Sequence, residues 1–99
     1  MSDAKRQEGD DRDRLREAID RVDEEIARLL NERAGIAIEI GRIKKRSGEK
    51  LFDPAREQDI FSRLIEQNAG PLSADALVRI FERIIDESRR VERLEAYDK

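Results

Sequence analysis

Arg33 and Lys44 are the first residues of this sequence equipped for chemistry, because both bring a cation to a helical pattern that is otherwise apolar. Leu29 stands four residues before Arg33 and Ile36 three after it, so Arg33 fills a slot that a four-and-three stripe reserves for a hydrophobic side chain. Lys44 follows eleven residues later, three helical turns on, and so projects within about 20° of Arg33 and roughly 16 Å further along. Two cations thereby border one groove. Ser88 and Glu92 continue the face of Phe81, Ile84 and Ile85 at four-residue spacing, and carboxyl groups seldom sit on such a face without a partner. Asp53, Arg56 and Glu57 open another helix, with Glu57 three and four residues before Ile60 and Phe61, on the buried side. Each residue also has a plain reading. The two cations can pair with a carboxylate at the core edge or reach out to water. Ser88 can bond back to the preceding turn, Glu92 can lie in solvent near the chain end, and Asp53 can be a simple helix cap. Arg56 and Glu57 can be first-turn surface charges. Together they set cations and polar groups on the inward faces of three helices, the pattern of a polar pocket for a small anion inside a helical bundle.

The elements that position these groups follow from apolar spacing. Leu15, Ile19, Val22, Ile26, Leu29, Ile36, Ile40 and Ile43 alternate by fours and threes with one interruption at Arg33, which predicts a single long helix. Its start is expected near Asp11 to Arg14 and its end near Ser47, where Gly48 can adopt the left-handed conformation. Such a helix is roughly 50 Å long. Asp53-Pro54, an acidic cap followed by proline, predicts a second helix with Ile60, Phe61, Leu64 and Ile65 on its apolar face, ending near Asn68-Ala69-Gly70-Pro71. A third begins near Ser73, carries Leu77, Ile80, Phe81, Ile84 and Ile85, and reaches about Tyr97. Residues 1–11 are polar and aperiodic and read as a flexible tail without chemistry, leaving residues 12–99 as one helical domain. No repeat, low-complexity segment or strand-like alternation is visible. The expected class is all-α, three helices, one long and two shorter. Because the short helices can shield only part of the long stripe, the expected cover is a second copy, in a homodimer whose long helices cross or run antiparallel.

Composition limits the options further. A chain of 99 residues buries a small core and often needs disulfides, metals or a partner chain. With no cysteine and no histidine, disulfides and the usual zinc sites are excluded, and any metal site has to be built from carboxylates. The sequence is 45% charged and has a net charge of -3, so no basic excess points to nucleic acid or an anionic membrane surface. No apolar run approaches a membrane span and the charged N-terminus lacks a signal-peptide core, so a cytoplasmic protein is expected.

The polar residues, taken in order, resemble the signature of the all-helical chorismate mutases. Arg16 is followed by Arg33 after seventeen residues, Lys44 after eleven more, Asp53 after nine, the adjoining Arg56-Glu57, and then Ser88 and Glu92. The match runs from about Arg14 to Tyr97. The resemblance implies an intertwined dimer with two sites, each drawing residues from both chains, that converts chorismate to prephenate without metal or cofactor. Spacing agrees on the sharing, since Arg16 lies about 100° around the helix from Arg33 and roughly 25 Å along it, too far for one straight helix to aim both at one small ligand. By resemblance, Arg16 of the partner subunit and Arg33 bind the two substrate carboxylates, assisted by Arg56 and Ser88. Asp53 and Glu57 face the ring hydroxyl, Lys44 donates to the ether oxygen of the breaking bond, and Glu92 flanks that oxygen from the other side.

These residue types suit such a reaction. An intramolecular pericyclic step needs no nucleophile, only restraint of the folded side chain and stabilisation of negative charge growing on the ether oxygen. Many relatives have glutamine where this chain has Glu92. A carboxyl can replace that amide as a donor only when protonated, so activity is expected to fall as pH rises through its pKa. Two other readings share these residues in part. An isochorismate-pyruvate lyase on the same fold uses the arginines and the lysine, but its relatives lack a clear counterpart of the Asp53-to-Glu57 cluster. A non-catalytic helical dimerisation or regulatory module keeps the fold without turnover.

Overall fold

A computed structural model describes residues 2–98, and the described residues form helices and no strand. Helix α1 spans Ser2–Ser47, α2 Pro54–Gln67 and α3 Ala74–Glu92, with a π-helical turn over Arg93–Tyr97 continuing α3. The all-α, three-helix expectation is met. The chain divides into two compact units, Met1–Glu32 and Arg33–Lys99, with α1 contributing to both.

One boundary is corrected. The start of α1 was expected near Asp11 to Arg14, yet the helix already runs from Ser2, through most of the segment read as a tail. That segment has no apolar period, but Ala4, Lys5, Arg6, Gln7 and Glu8 are strong helix formers and no proline interrupts them. Extending an existing helix costs far less than nucleating one, and Asp3 adds an acidic residue to the first turn, where the helix dipole favours it. Within the first unit Leu15, Ile19, Val22, Ile26, Leu29 and Leu30 form a periodic apolar face that is exposed in the single chain.

The second unit holds the core. α1 stops at Gly48, whose φ of 76° is the left-handed geometry that glycine adopts without a Cβ penalty. The Glu49 amide then donates to the Lys44 carbonyl at 2.9 Å, closing the C-terminal turn. α2 opens as expected: Pro54 takes the first helical position, and Asp53 Oδ1 accepts the Arg56 amide at 3.0 Å. Ser73 caps α3 in the same way, its Oγ accepting the Ala76 amide at 3.1 Å. α2 packs on α3. Ile85 and Ala96 are buried, while Phe61, Leu64, Leu77, Val78, Phe81 and Ile84 are half-buried around them. Two further buried residues, Ser88 and Glu92, are polar.

Gly41 lets the end of α3 approach α1 closely. A Cβ there would lie 2.6 Å from Glu92 Cγ and 3.2 Å from the Ala96 Cβ, so only glycine leaves room for both. The Tyr97 hydroxyl donates to the Glu49 carbonyl at 3.0 Å, tying the final turn to the α1–α2 connection. Among the described residues no helix is long and apolar enough to cross a membrane.

Candidate active site

Helical periodicity turns Arg33, Ala37, Ile40 and Lys44 of α1 toward the same space as Ile85, Ser88 and Glu92 of α3, and the first turn of α2 closes it with Asp53, Arg56 and Glu57. The result is a cleft of about 380 Å³ within the second unit. Its walls are partly apolar, through Ile36, Ile40, Leu51, Ile60 and Ile85, and its polar groups converge from three helices. Seven of the eight residues singled out in the sequence line this cleft. Arg16, the eighth, is exposed on α1 in the first unit and is not among the lining residues.

Arg33 donates from Nη1 to Ser88 Oγ at 2.6 Å, which accounts for a hydroxyl buried on the inner face of α3. Burial lowers the Arg33 pKa, and the nearby positive charge of Arg56 lowers it further. Two guanidinium groups that repel one another across a concave surface are relieved by an anion between them, which makes this end of the cleft suited to a carboxylate.

Lys44 occupies the other end. Its Nζ donates to the Leu51 carbonyl at 3.0 Å, so the α1–α2 connection holds the ammonium in place, and it stands 3.7 Å from Glu92 Oε1. That separation is an ion-pair distance, longer than a hydrogen bond. Among the described residues Glu92 Oε1 is thus buried without a hydrogen-bond partner. Burial raises the Glu92 pKa, with the positive charges of Lys44 and Arg89 acting in the opposite direction. A carboxyl kept from water, with one oxygen unmatched, keeps its proton to a higher pH than a free one and leaves that oxygen open to a ligand.

Asp53 serves as the cap of α2 and also lines the cleft, so capping the helix does not turn it away from the cleft. Glu57 does not reach into empty space; its Oε2 accepts from Arg89 Nη2. Arg89 is the charged lining residue that the sequence alone did not single out. Its signal was present, since it follows Ile85 by four residues and adjoins Ser88, but an arginine beside a second arginine, Arg90, reads as a solvated helix face. Among the described residues no group of three or more carboxylates gathers as a metal site.

A family profile described as chorismate mutase type II matches residues 15–93. The chain belongs to the chorismate mutase type II family. Among proteins of the family, the bifunctional chorismate mutase/prephenate dehydratase of Aquifex aeolicus is 45% identical over 75 residues, covering 72% of this chain and 21% of that protein. The chain thus spans about a fifth of the length of the bifunctional relatives it matches. The chorismate mutase structure (form II) from Thermus thermophilus superposes with a TM-score of 0.78 at 37% identity, covering 79% of this chain and 89% of that one. A Helicobacter pylori chorismate mutase, solved in complex with prephenate, gives a TM-score of 0.78 at 30% identity over 84% of this chain and 90% of that one. The family match begins at Leu15, the first apolar residue of the α1 stripe, well inside the helix itself.

Proposed function

We propose that the chain is a chorismate mutase that rearranges chorismate to prephenate by restraint and electrostatics, using no metal, cofactor or covalent intermediate. The observation that carries this reading is the convergence of Arg33, Lys44 and Arg56 on one cleft in which the buried Glu92 oxygen has no hydrogen-bond partner among the described residues. Arg33, with Ser88 behind it, grips one substrate carboxylate, and Arg56 assists. Lys44, held by the Leu51 carbonyl, donates to the ether oxygen as its carbon bond stretches and negative charge builds there. Protonated Glu92 donates to the same oxygen from α3. Asp53 and Glu57 face the ring hydroxyl from the head of α2. The apolar walls exclude water and keep the enolpyruvyl arm folded over the ring, which removes much of the entropic part of the barrier.

The working unit in this reading is a homodimer. Ile36, Ile40 and Ile43 of α1 are exposed in the second unit, as Leu15, Ile19, Val22, Ile26 and Leu29 are in the first, and a second α1 is their natural cover. Each cleft is then completed by Arg16 of the partner subunit, which supplies the second carboxylate-binding fork. Residues 12–99 form the functional domain and the first eleven residues take no part in the chemistry. A sequence with 45% charged residues and no cysteine fits a cytoplasmic setting.

The test is a chorismate assay that follows loss of ultraviolet absorbance in wild type, Arg33→Ala and Lys44→Ala, with the product identified chromatographically. Prephenate from wild type and strong losses in both variants are expected. Equal rates in all three would remove the site assignment, while release of pyruvate from isochorismate would move the chain to lyase chemistry.

A further inference from the structure

Arg89 touches three elements at once. From α3 its Nη2 donates to Glu57 Oε2 on α2, its guanidinium carbon lies 4.8 Å from the centroid of the Phe52 ring in the α1–α2 connection, and its Nη1 stands 3.8 Å from Asp86 on its own helix. The side chains of Arg89 and Glu57 are each 22% exposed, so their pairing is only partly screened by water. A guanidinium already occupied by a carboxylate and stacked on a ring is poorly placed to bind a substrate carboxylate itself. It is well placed to orient the carboxylate it holds.

We propose that Arg89 is a positioning residue for the reaction: it locks the Glu57 carboxylate in the cleft in the orientation that accepts the hydrogen bond of the substrate's ring hydroxyl. This rests on the reading of the cleft as a chorismate site. Glu57 sits in the first turn of α2 and, without a fixed partner, turns freely among rotamers. A loose carboxylate beside a doubly negative substrate repels it; one neutralised and aimed by Arg89 selects it through a single hydroxyl. The Phe52 stack fixes the guanidinium in turn and joins it to the connection that carries Leu51, the acceptor of Lys44.

The experiment is a double-mutant cycle of Arg89→Ala and Glu57→Ala, with kcat and KM for chorismate measured well below each variant's melting temperature and folding checked by circular dichroism. Arg89→Ala is expected to lower kcat/KM by about ten- to a hundredfold, and the double variant to match Glu57→Ala alone when both are measured on the low-pH plateau, where Glu92 is protonated and the charge of Arg89 on it no longer bears on the rate. Should Arg89→Ala fail to fold, Arg89→Lys, which keeps the charge and loses the fork and the stack, carries the same cycle. Independent, additive losses overturn the role, as does a folded Arg89 variant of wild-type kcat/KM whose only defect is a lower melting temperature. Lys44→Ala in the same assay separates the two claims. Activity lost there but kept in Arg89→Ala defeats the positioning role alone, whereas a wild type without turnover defeats both.

Discussion

Replacing Gly41 with alanine tests whether the placement of Glu92 governs the chemistry. The new methyl carbon would lie 2.6 Å from Glu92 Cγ, 3.2 Å from the Ala96 Cβ and 3.4 Å from the Glu92 carbonyl oxygen. Ordinary carbon contacts lie near 3.5–4.0 Å, so Glu92 has to retreat by about 1 Å or the helices have to part. Alanine improves helix propensity by roughly 0.8–1 kcal/mol, and overpacking typically costs about 1–3 kcal/mol. The net loss of stability is therefore no more than about 2 kcal/mol. A displacement of about 1 Å at a catalytic group costs on the order of 10²-fold in rate. The two magnitudes separate cleanly: Gly41→Ala is expected to remain folded and to lose about a hundredfold in kcat. Initial rates of chorismate disappearance and a thermal melt followed by circular dichroism measure both. In a Glu92→Ala background the clash with Cγ is gone, and the added methyl is expected to cost little further rate. A folded Gly41→Ala protein with a kcat within about twofold of wild type would refute the reasoning, since Glu92 would then tolerate displacement from its slot.

Further outcomes follow from the same geometry. Lys44→Ala should lower kcat by about 10²- to 10³-fold with a smaller change in KM, because in the proposed mechanism the ammonium acts on charge that grows in the transition state; a loss confined to KM speaks against that role. Because burial raises the Glu92 pKa and the proposed donor is its protonated form, kcat/KM should fall as pH rises through that pKa, and Glu92→Gln should flatten the profile. The same shift means the folded state holds the proton more tightly than the unfolded one. Stability from this group is thus full below the unfolded pKa and lost as pH rises through the folded value, which melts at a series of pH values can follow. Asp53→Ala should cost about 1 kcal/mol through the lost cap at the Arg56 amide, visible in urea denaturation, besides any loss of activity. Mixing inactive Arg16→Ala and Arg33→Ala chains under conditions that exchange subunits should restore about a quarter of wild-type activity, because in the proposed dimer half the pairs are hybrids and each hybrid has one intact site; no recovery in a verified hybrid is inconsistent with a shared site.

The sequence by itself determined the elements and most of the cleft. Four-and-three spacing, Asp53-Pro54, Ser73 and Gly48 are local signals, since caps, proline and left-handed glycine act within one turn of where they stand. The start of α1 was the exception, because exposed helix formers carry no periodic mark and their helicity is inherited from the helix they extend. Arg33, Lys44, Ser88 and Glu92 were legible because each interrupts an apolar face, and a polar group on such a face needs a reason to be there.

Tertiary structure alone decided what those groups do to one another. Arg33 and Ser88 are 55 positions apart, Arg89 and Glu57 are 32 apart, and nothing local to either residue announces its partner. Arg89 in particular looks like surface charge until α2 is laid beside α3. The slot at Gly41, the unmatched oxygen of Glu92 and the anchoring of Lys44 by a backbone carbonyl depend on the depth and register at which helices meet. Periodicity tells which way a side chain points on its own helix. The facing helix, and how closely it approaches, sets the distances on which charge and proton placement depend.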